Sequence, residues 1–198
     1  MKFLLFLLAA ISLNIEATIF SSKAIVHPEV GKNGMVVSQH YLATDAGHFI
    51  LAEGGNAYDA SIAVAFALAV VLPRAGNIGG GGFMVMFDEA SQKSFSIDYR
   101  ETAPEAATKN MFLASDGSVD RKKATQGVLS IGVPGTVYGV WEVHKKFGSL
   151  PWSELLAPAI KLAEDGFLIS PFMADALNKR YKKLGKYKNF KNIFYSNY

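Results

Sequence analysis

The longest apolar stretch in the body of the chain runs from Ile62 to Leu72, eleven apolar residues in succession. Its flanks predict a helix over about Ala57 to Leu72. Asn56 can accept a hydrogen bond from the unpaired N–H groups of the first turn, Asp59 sits at the favourable end of the helix dipole, and Pro73 ends the run. A helix that is apolar on every side is expected to be buried on every side, at the centre of the core. The preceding segment, Tyr41 to about Glu53, reads as another helix closed by Gly54 and Gly55, glycine being suited to the left-handed cap position.

Beyond Pro73 the pattern becomes extended. Phe83 to Phe87 and Lys93 to Arg100 read as two strands joined by a polar turn at Asp88 to Gln92. In the second strand Phe95, Ile97 and Tyr99 point one way and Ser94, Ser96, Asp98 and Arg100 the other. Pro134 to Phe147 reads as a helix stopped by Gly148, with Gly135 and Gly139 leaving room for a neighbouring backbone. Pro151 and Pro158 each suit the first turn of a short helix, the second ending near Gly166, and Ser170 with Pro171 opens another. From Asn178 onward Lys, Tyr and Asn follow without clear periodicity. A buried helix followed by a hairpin suggests a layered α/β arrangement with an antiparallel sheet, in one domain.

The first residues read as an address label. A positive start at Met1–Lys2, an apolar run from Phe3 to Leu13 and small residues at Ala17 and Ala24 match a secretory signal peptide, and the run is short for a membrane span of about 20 residues. The expectation is a signal peptide over residues 1–24, cleaved after Ala17 or Ala24, and an exported protein, periplasmic or secreted. No other segment is expected to span a membrane.

Composition narrows the chemistry. With 50% hydrophobic and 19% charged residues in a chain of 198, disordered and fibrous classes are excluded. The net charge is only +3, and seven of the 20 Lys and Arg residues lie between Lys179 and Lys191, so no basic stripe across the folded body points to nucleic acid. The chain has no cysteine, which removes disulfides, thiolate metal sites and a Cys nucleophile. His27, His40, His48 and His144 show no metal-binding spacing, and the carboxylates are scattered. Neither a metal nor a cofactor is expected.

Two local features stand out. Gly79 to Gly82 could converge backbone N–H groups on an anion, but the Gly-Lys-Ser/Thr of a phosphate loop and the spacing of a dinucleotide fingerprint are both missing. Close backbone packing where a strand starts beneath the buried helix is the preferred account. Arg100, at a strand end, presents a planar fork suited to a carboxylate; equally it could pair with Glu101 or Asp98.

Four segments taken together resemble the gamma-glutamyltranspeptidase (glutathione hydrolase) family: Glu53 to Ala60 (EGGNAYDA), Gly76 to Met84 (GNIGGGGFM), Asp98 to Pro104 (DYRETAP) and Gly132 to Val137 (GVPGTV). They fall in order within about Asn33 to Ser170. The resemblance implies an N-terminal-nucleophile hydrolase fold, an αββα sandwich, of which 33–198 would be the N-terminal part of a large-subunit domain. It implies an exported precursor that cuts itself into a large and a small subunit forming a heterodimer. The small subunit's N-terminal threonine would attack the gamma-glutamyl amide of glutathione or another gamma-glutamyl compound and pass the acyl group to water or to an amino-acid or peptide acceptor.

The family arginine that grips the α-carboxylate lies in the motif matched by Asp98 to Glu101, which carries the role over to Arg100. No catalytic residue is expected in this chain, since the nucleophile would lie beyond residue 198. Thr44, Thr102, Thr108, Thr125 and Thr136 are not in the nucleophile's context, and Thr18, N-terminal after a cut at Ala17, lies outside the matched region. Half a sandwich would leave sheet edges and apolar faces uncovered, so poor solubility is expected of the chain alone. The other readings are a non-catalytic fragment that at most binds carboxylates weakly, and a related beta-lactam acylase, against which Arg100 argues.

Overall fold

The computed structural model describes residues 28–195. The chain divides into Met1–Asn33 and a unit that begins at Gly34; the signal segment at 1–24 lies outside the described residues. From Gly34 the described elements are helices α1 (Tyr41–Ala52) and α2 (Ala57–Val71), strands β1 (Phe83–Asp88) and β2 (Lys93–Asp98), the short helix α3 (Arg121–Thr125), a 3-10 turn at Val128–Ser130, and helices α4 (Thr136–Phe147), α5 (Trp152–Asp165), α6 (Pro171–Leu184) and α7 (Lys188–Phe194).

Helix α2 starts where its flanks place it. The Asn56 side chain accepts from the N–H groups of Tyr58 and Asp59, while the Asp59 carboxylate accepts from the Asn56 N–H, a reciprocal capping box. Gly54, at φ +90°, closes α1 as expected. Burial of α2 is less complete than its composition suggests. Ala60, Ile62, Ala63, Ala67 and Val71 are buried, but Ser61 is exposed and Phe66, Ala69 and Val70 are half-buried along a groove of about 690 Å³ that Leu156 and Ile160 of α5 also line. The described helices cover one flank of α2 and leave this one open.

The core gathers α2, α4, α5 and one face of the hairpin. Ile50, Ile62, Val140, Val143 and Leu155 are its buried centre, and Met84, Met86, Phe95 and Ile97 pack on it. The strands pair antiparallel from Phe83 opposite Asp98 to Asp88 opposite Lys93. The alternation expected in β2 is observed: Phe95, Ile97 and Tyr99 are half-buried, while Ser94, Ser96, Asp98 and Arg100 are exposed. The outer face of β1 carries Phe83, Val85 and Phe87, all exposed.

Two expectations are corrected. Pro151 and Pro158 do not open separate helices; α5 is continuous, with Pro158 inside it. An interior proline costs about 3 kcal/mol in a helix, but Leu155 and Ala159 on either side are buried against the core, and their burial holds the helix together. Nor is the chain irregular from Asn178. Helix α6 runs on to Leu184, supported by a Lys179–Asp175 pair at 2.7 Å, and α7 follows, its Phe190 and Phe194 meeting each other and Phe190 meeting Tyr195. Lysine is a good helix former, Phe190 and Phe194 stand one turn apart on α7, and only the fold brings Tyr195 against Tyr181 and the Leu177 carbonyl of α6. No helix among the described residues is long and apolar enough to cross a membrane.

Candidate functional site

The glycine run is packing, as preferred, although its main partner is the end of β2. A Cβ on Gly81 would lie 2.5 Å from the Tyr99 carbonyl oxygen and 2.7 Å from the Arg100 Cα; one on Gly82 would meet the Tyr99 ring at 2.8 Å. From the other side, a Cβ on Gly135 would lie 2.0 Å from the same carbonyl oxygen, and one on Gly139 2.2 Å from the Tyr99 Cγ. Glycines from two of the motifs, together with Gly139, thus clamp Tyr99 and Arg100 because none carries a side chain there.

The clamp is tied together by polar contacts. Helix α4 has no side-chain cap; the Gly80 carbonyl instead accepts from the N–H groups of Gly135 at 2.7 Å and Thr136 at 3.1 Å. The Asn77 Oδ1 accepts from the Gly80 N–H at 2.9 Å and from the Thr136 hydroxyl at 2.6 Å. The ladder continues past β2 through Tyr99 N–H to the Gly82 carbonyl at 3.0 Å and ends where the Asp98 carboxylate takes the Arg100 N–H at 2.9 Å. Arg100 is therefore just beyond the strand and not within it.

Substituting Gly139 by alanine is expected to destabilise the protein by about 1–3 kcal/mol, the usual range for forced overpacking, since Tyr99 must move. Urea unfolding measures the loss, and an unchanged midpoint would mean the neighbourhood yields freely.

At Arg100 itself, the guanidinium Nε donates to the Glu101 carboxylate at 3.2 Å and the Phe83 ring lies 5.8 Å from Cζ. The side chain is 63% exposed, and among the described residues neither terminal nitrogen has an acceptor. The local pair with Glu101 and a free fork coexist, so the two readings of this arginine are compatible. The Glu101 carboxyl is held below the ordinary glutamate value by its own backbone N–H and then by the Arg100 side chain. The charged pair is accordingly present at and above that ordinary value and is lost as pH falls through the lowered one. A carboxyl NMR titration should place Glu101 below free glutamate, and Arg100→Ala should move it up; an unmoved midpoint would mean the pair does not exist in solution.

The remaining candidates do not converge. His40 caps α1, accepting from the Leu42 N–H at 3.3 Å; His48 is exposed; His144 meets the Leu150 carbonyl at 2.9 Å between Trp141 and Trp152. His27 lies outside the described residues. Thr44 bonds Ser38, Thr125 donates to the Arg121 carbonyl, Thr136 to Asn77, and Thr102 pairs through its backbone with Val133. Asn77, Phe83 and Asp59's reach to Ser149 were not singled out from the sequence. Each depends on a contact distant along the chain; the signal they carried was membership of a motif, Asn77 and Phe83 in Gly76 to Met84 and Asp59 in Glu53 to Ala60.

Comparison with known proteins settles the kinship. The gamma-glutamyltranspeptidase family matches residues 43–198. The chain belongs to this family. The match begins later than the motifs suggested and continues through α6 and α7. The chain is 54% identical over 121 residues to a glutathione hydrolase proenzyme of Pseudomonas aeruginosa, covering 61% of this chain and 21% of that protein. It is 45% identical over 173 residues to the glutathione hydrolase proenzyme of Escherichia coli, covering 86% and 30%. The crystal structure of Helicobacter pylori gamma-glutamyltranspeptidase superposes with a TM-score of 0.80 at 47% identity, covering 85% of this chain and 48% of that one. The fold class is thus α/β, that of these hydrolases. The chain spans less than a third of the length of the curated relatives it matches.

Proposed function

We propose that a polypeptide carrying this segment is a gamma-glutamyl hydrolase and transferase acting on glutathione and related gamma-glutamyl compounds, and that the segment's own part is to hold the donor's α-carboxylate through Arg100. The observation that carries this is the state of Arg100: Nε is engaged by Glu101, the backbone is clamped, and among the described residues the terminal nitrogens are without partners. Two parallel N–H bonds from such a fork match a carboxylate in charge and spacing.

In this reading the reaction is acyl transfer. A threonine hydroxyl outside this chain adds to the gamma-carbonyl, the amide C–N bond breaks, and the departing amine takes the proton. Water or an amino-acid or peptide amine then attacks the ester and releases the threonine. The Arg100 contact places the carbonyl by fixing the far end of the glutamyl group. The exposed outer face of β1 supports the same picture, being suited to burial by a second layer contributed in a large and small subunit heterodimer.

The test is hydrolysis of a gamma-glutamyl anilide. The full-length protein should release the aniline and the 198-residue chain should not; turnover by the short chain would overturn the assignment of the nucleophile. Export is part of the proposal and rests on the apolar leader. Mass spectrometry of the mature protein should find Thr18 or Ile25 at its N-terminus, whereas an intact Met1 would remove the leader from the proposal.

A further inference from the structure

Phe83 follows the glycine run directly and stands opposite Asp98 in the hairpin. Residues two apart on a strand share a face, so Phe83 and Arg100 lie on the same side of the sheet, one step apart diagonally. The hydrogen bonds between Tyr99 and Gly82 extend the register, which puts Arg100 across from Gly81. The resulting separation, 5.8 Å from Cζ to the ring centroid, is within the range over which a cation is attracted to an aromatic face.

The ring has no role in the core on this side. The buried cluster takes Met84 and Met86 from β1, and Phe83 itself is 61% exposed. What it does touch is the charged end of Arg100. That side chain is long and solvent-facing, and ordering it on ligand binding carries an entropic cost that a pre-held guanidinium avoids.

We propose that Phe83 is a positioning residue for Arg100, its ring supporting the guanidinium while Glu101 holds Nε, so that the two terminal nitrogens stand as a fixed fork for the donor's α-carboxylate. This rests on the reading of Arg100 as the carboxylate clamp. Phe83 touches no reacting atom; it acts through the arginine. Its contribution is therefore confined to donors that carry the carboxylate.

The experiment compares two anilides in the full-length protein: the gamma-glutamyl anilide and the 4-aminobutyryl anilide, which lacks only the α-carboxylate. Phe83→Leu keeps apolar bulk and removes the aromatic face. It is expected to raise KM for the first donor about threefold with little change in kcat, and to leave the second donor's kinetics as they were. Phe83→Trp, with a stronger aromatic face, should keep KM at or below the wild-type value, and it serves as the second variant should Phe83→Leu fold poorly. In an Arg100→Ala background, Phe83→Leu should add nothing.

An unchanged KM in Phe83→Leu overturns the inference. So does an equal rise for both donors, or the same rise in the Arg100→Ala background, because either would mean packing alone. If Arg100→Ala affects only the carboxylate-bearing donor while Phe83→Leu affects neither, the clamp stands and the positioning role falls. If Arg100→Ala leaves the preference between donors intact, the clamp itself is wrong and the inference falls with it.

Discussion

Arg100→Ala lowers kcat/KM for gamma-glutamyl donors by about thirtyfold or more, mostly through KM, the expected result of removing one partner of a desolvated charged pair worth about 2–5 kcal/mol. The Arg100 backbone is closely approached by Gly81 and Gly135 and its Nε is already occupied, so the fork has little freedom to relax toward another anion. Arg100→Lys keeps the charge but loses the fork, and should recover only part of the activity. A donor without the α-carboxylate should be turned over equally by wild type and variant. Wild-type kinetics in Arg100→Ala would sink the assignment.

The largest stability effect is expected at Asp59. It is fully buried and lies 90 residues from its partner in the turn between α4 and α5, where the Ser149 hydroxyl donates to Oδ2 at 2.5 Å and the Ser149 N–H donates to both oxygens at 3.2 and 3.1 Å. The same carboxylate accepts from the Asn56 N–H at 3.0 Å, and the Asn56 amide donates to the Phe147 carbonyl at 2.7 Å. One side chain therefore caps α2 and pins the α4–α5 turn to it. Asp59→Ala removes the acceptor shared by the half-buried Asn56 N–H and by Ser149, several hydrogen bonds at once, and should cost about 2–3 kcal/mol. Thermal or urea unfolding measures it. Asp59→Asn, which keeps one acceptor oxygen but brings an NH2 group against the Ser149 N–H, should recover only part. A loss below about 1 kcal/mol, the scale of a simple cap, would mean that the contact with Ser149 adds nothing.

These two residues show how far the sequence could be read. Arg100 was legible twice over, as a fork at a strand end and as part of the Asp98 to Pro104 motif, because both signals are local. Asp59 was legible only as a helix cap. Its second role needs Ser149, and a hydrogen bond across that distance leaves no mark on spacing. The glycine run showed the same division: four consecutive glycines announce close approach, but only the folded chain shows that Tyr99 and Arg100 are what approaches, from between Gly81 and Gly135.

By itself the sequence determined the local structure: the α1 and α2 helices with their caps, the hairpin with its inward Phe95 and Ile97, the cap at Ser170, and the motifs of the family. These follow from backbone hydrogen bonding and side-chain periodicity within a few residues. Tertiary structure decided the continuity of α5 through Pro158, where burial of Leu155 and Ala159 outweighs the lost N–H, and the persistence of helix beyond Asn178. It also decided the open flank of α2 and the company of Arg100, with Phe83 on one side and Glu101 on the other. Each of these is a balance between a local preference and contacts made far along the chain, and only the fold supplies the second weight.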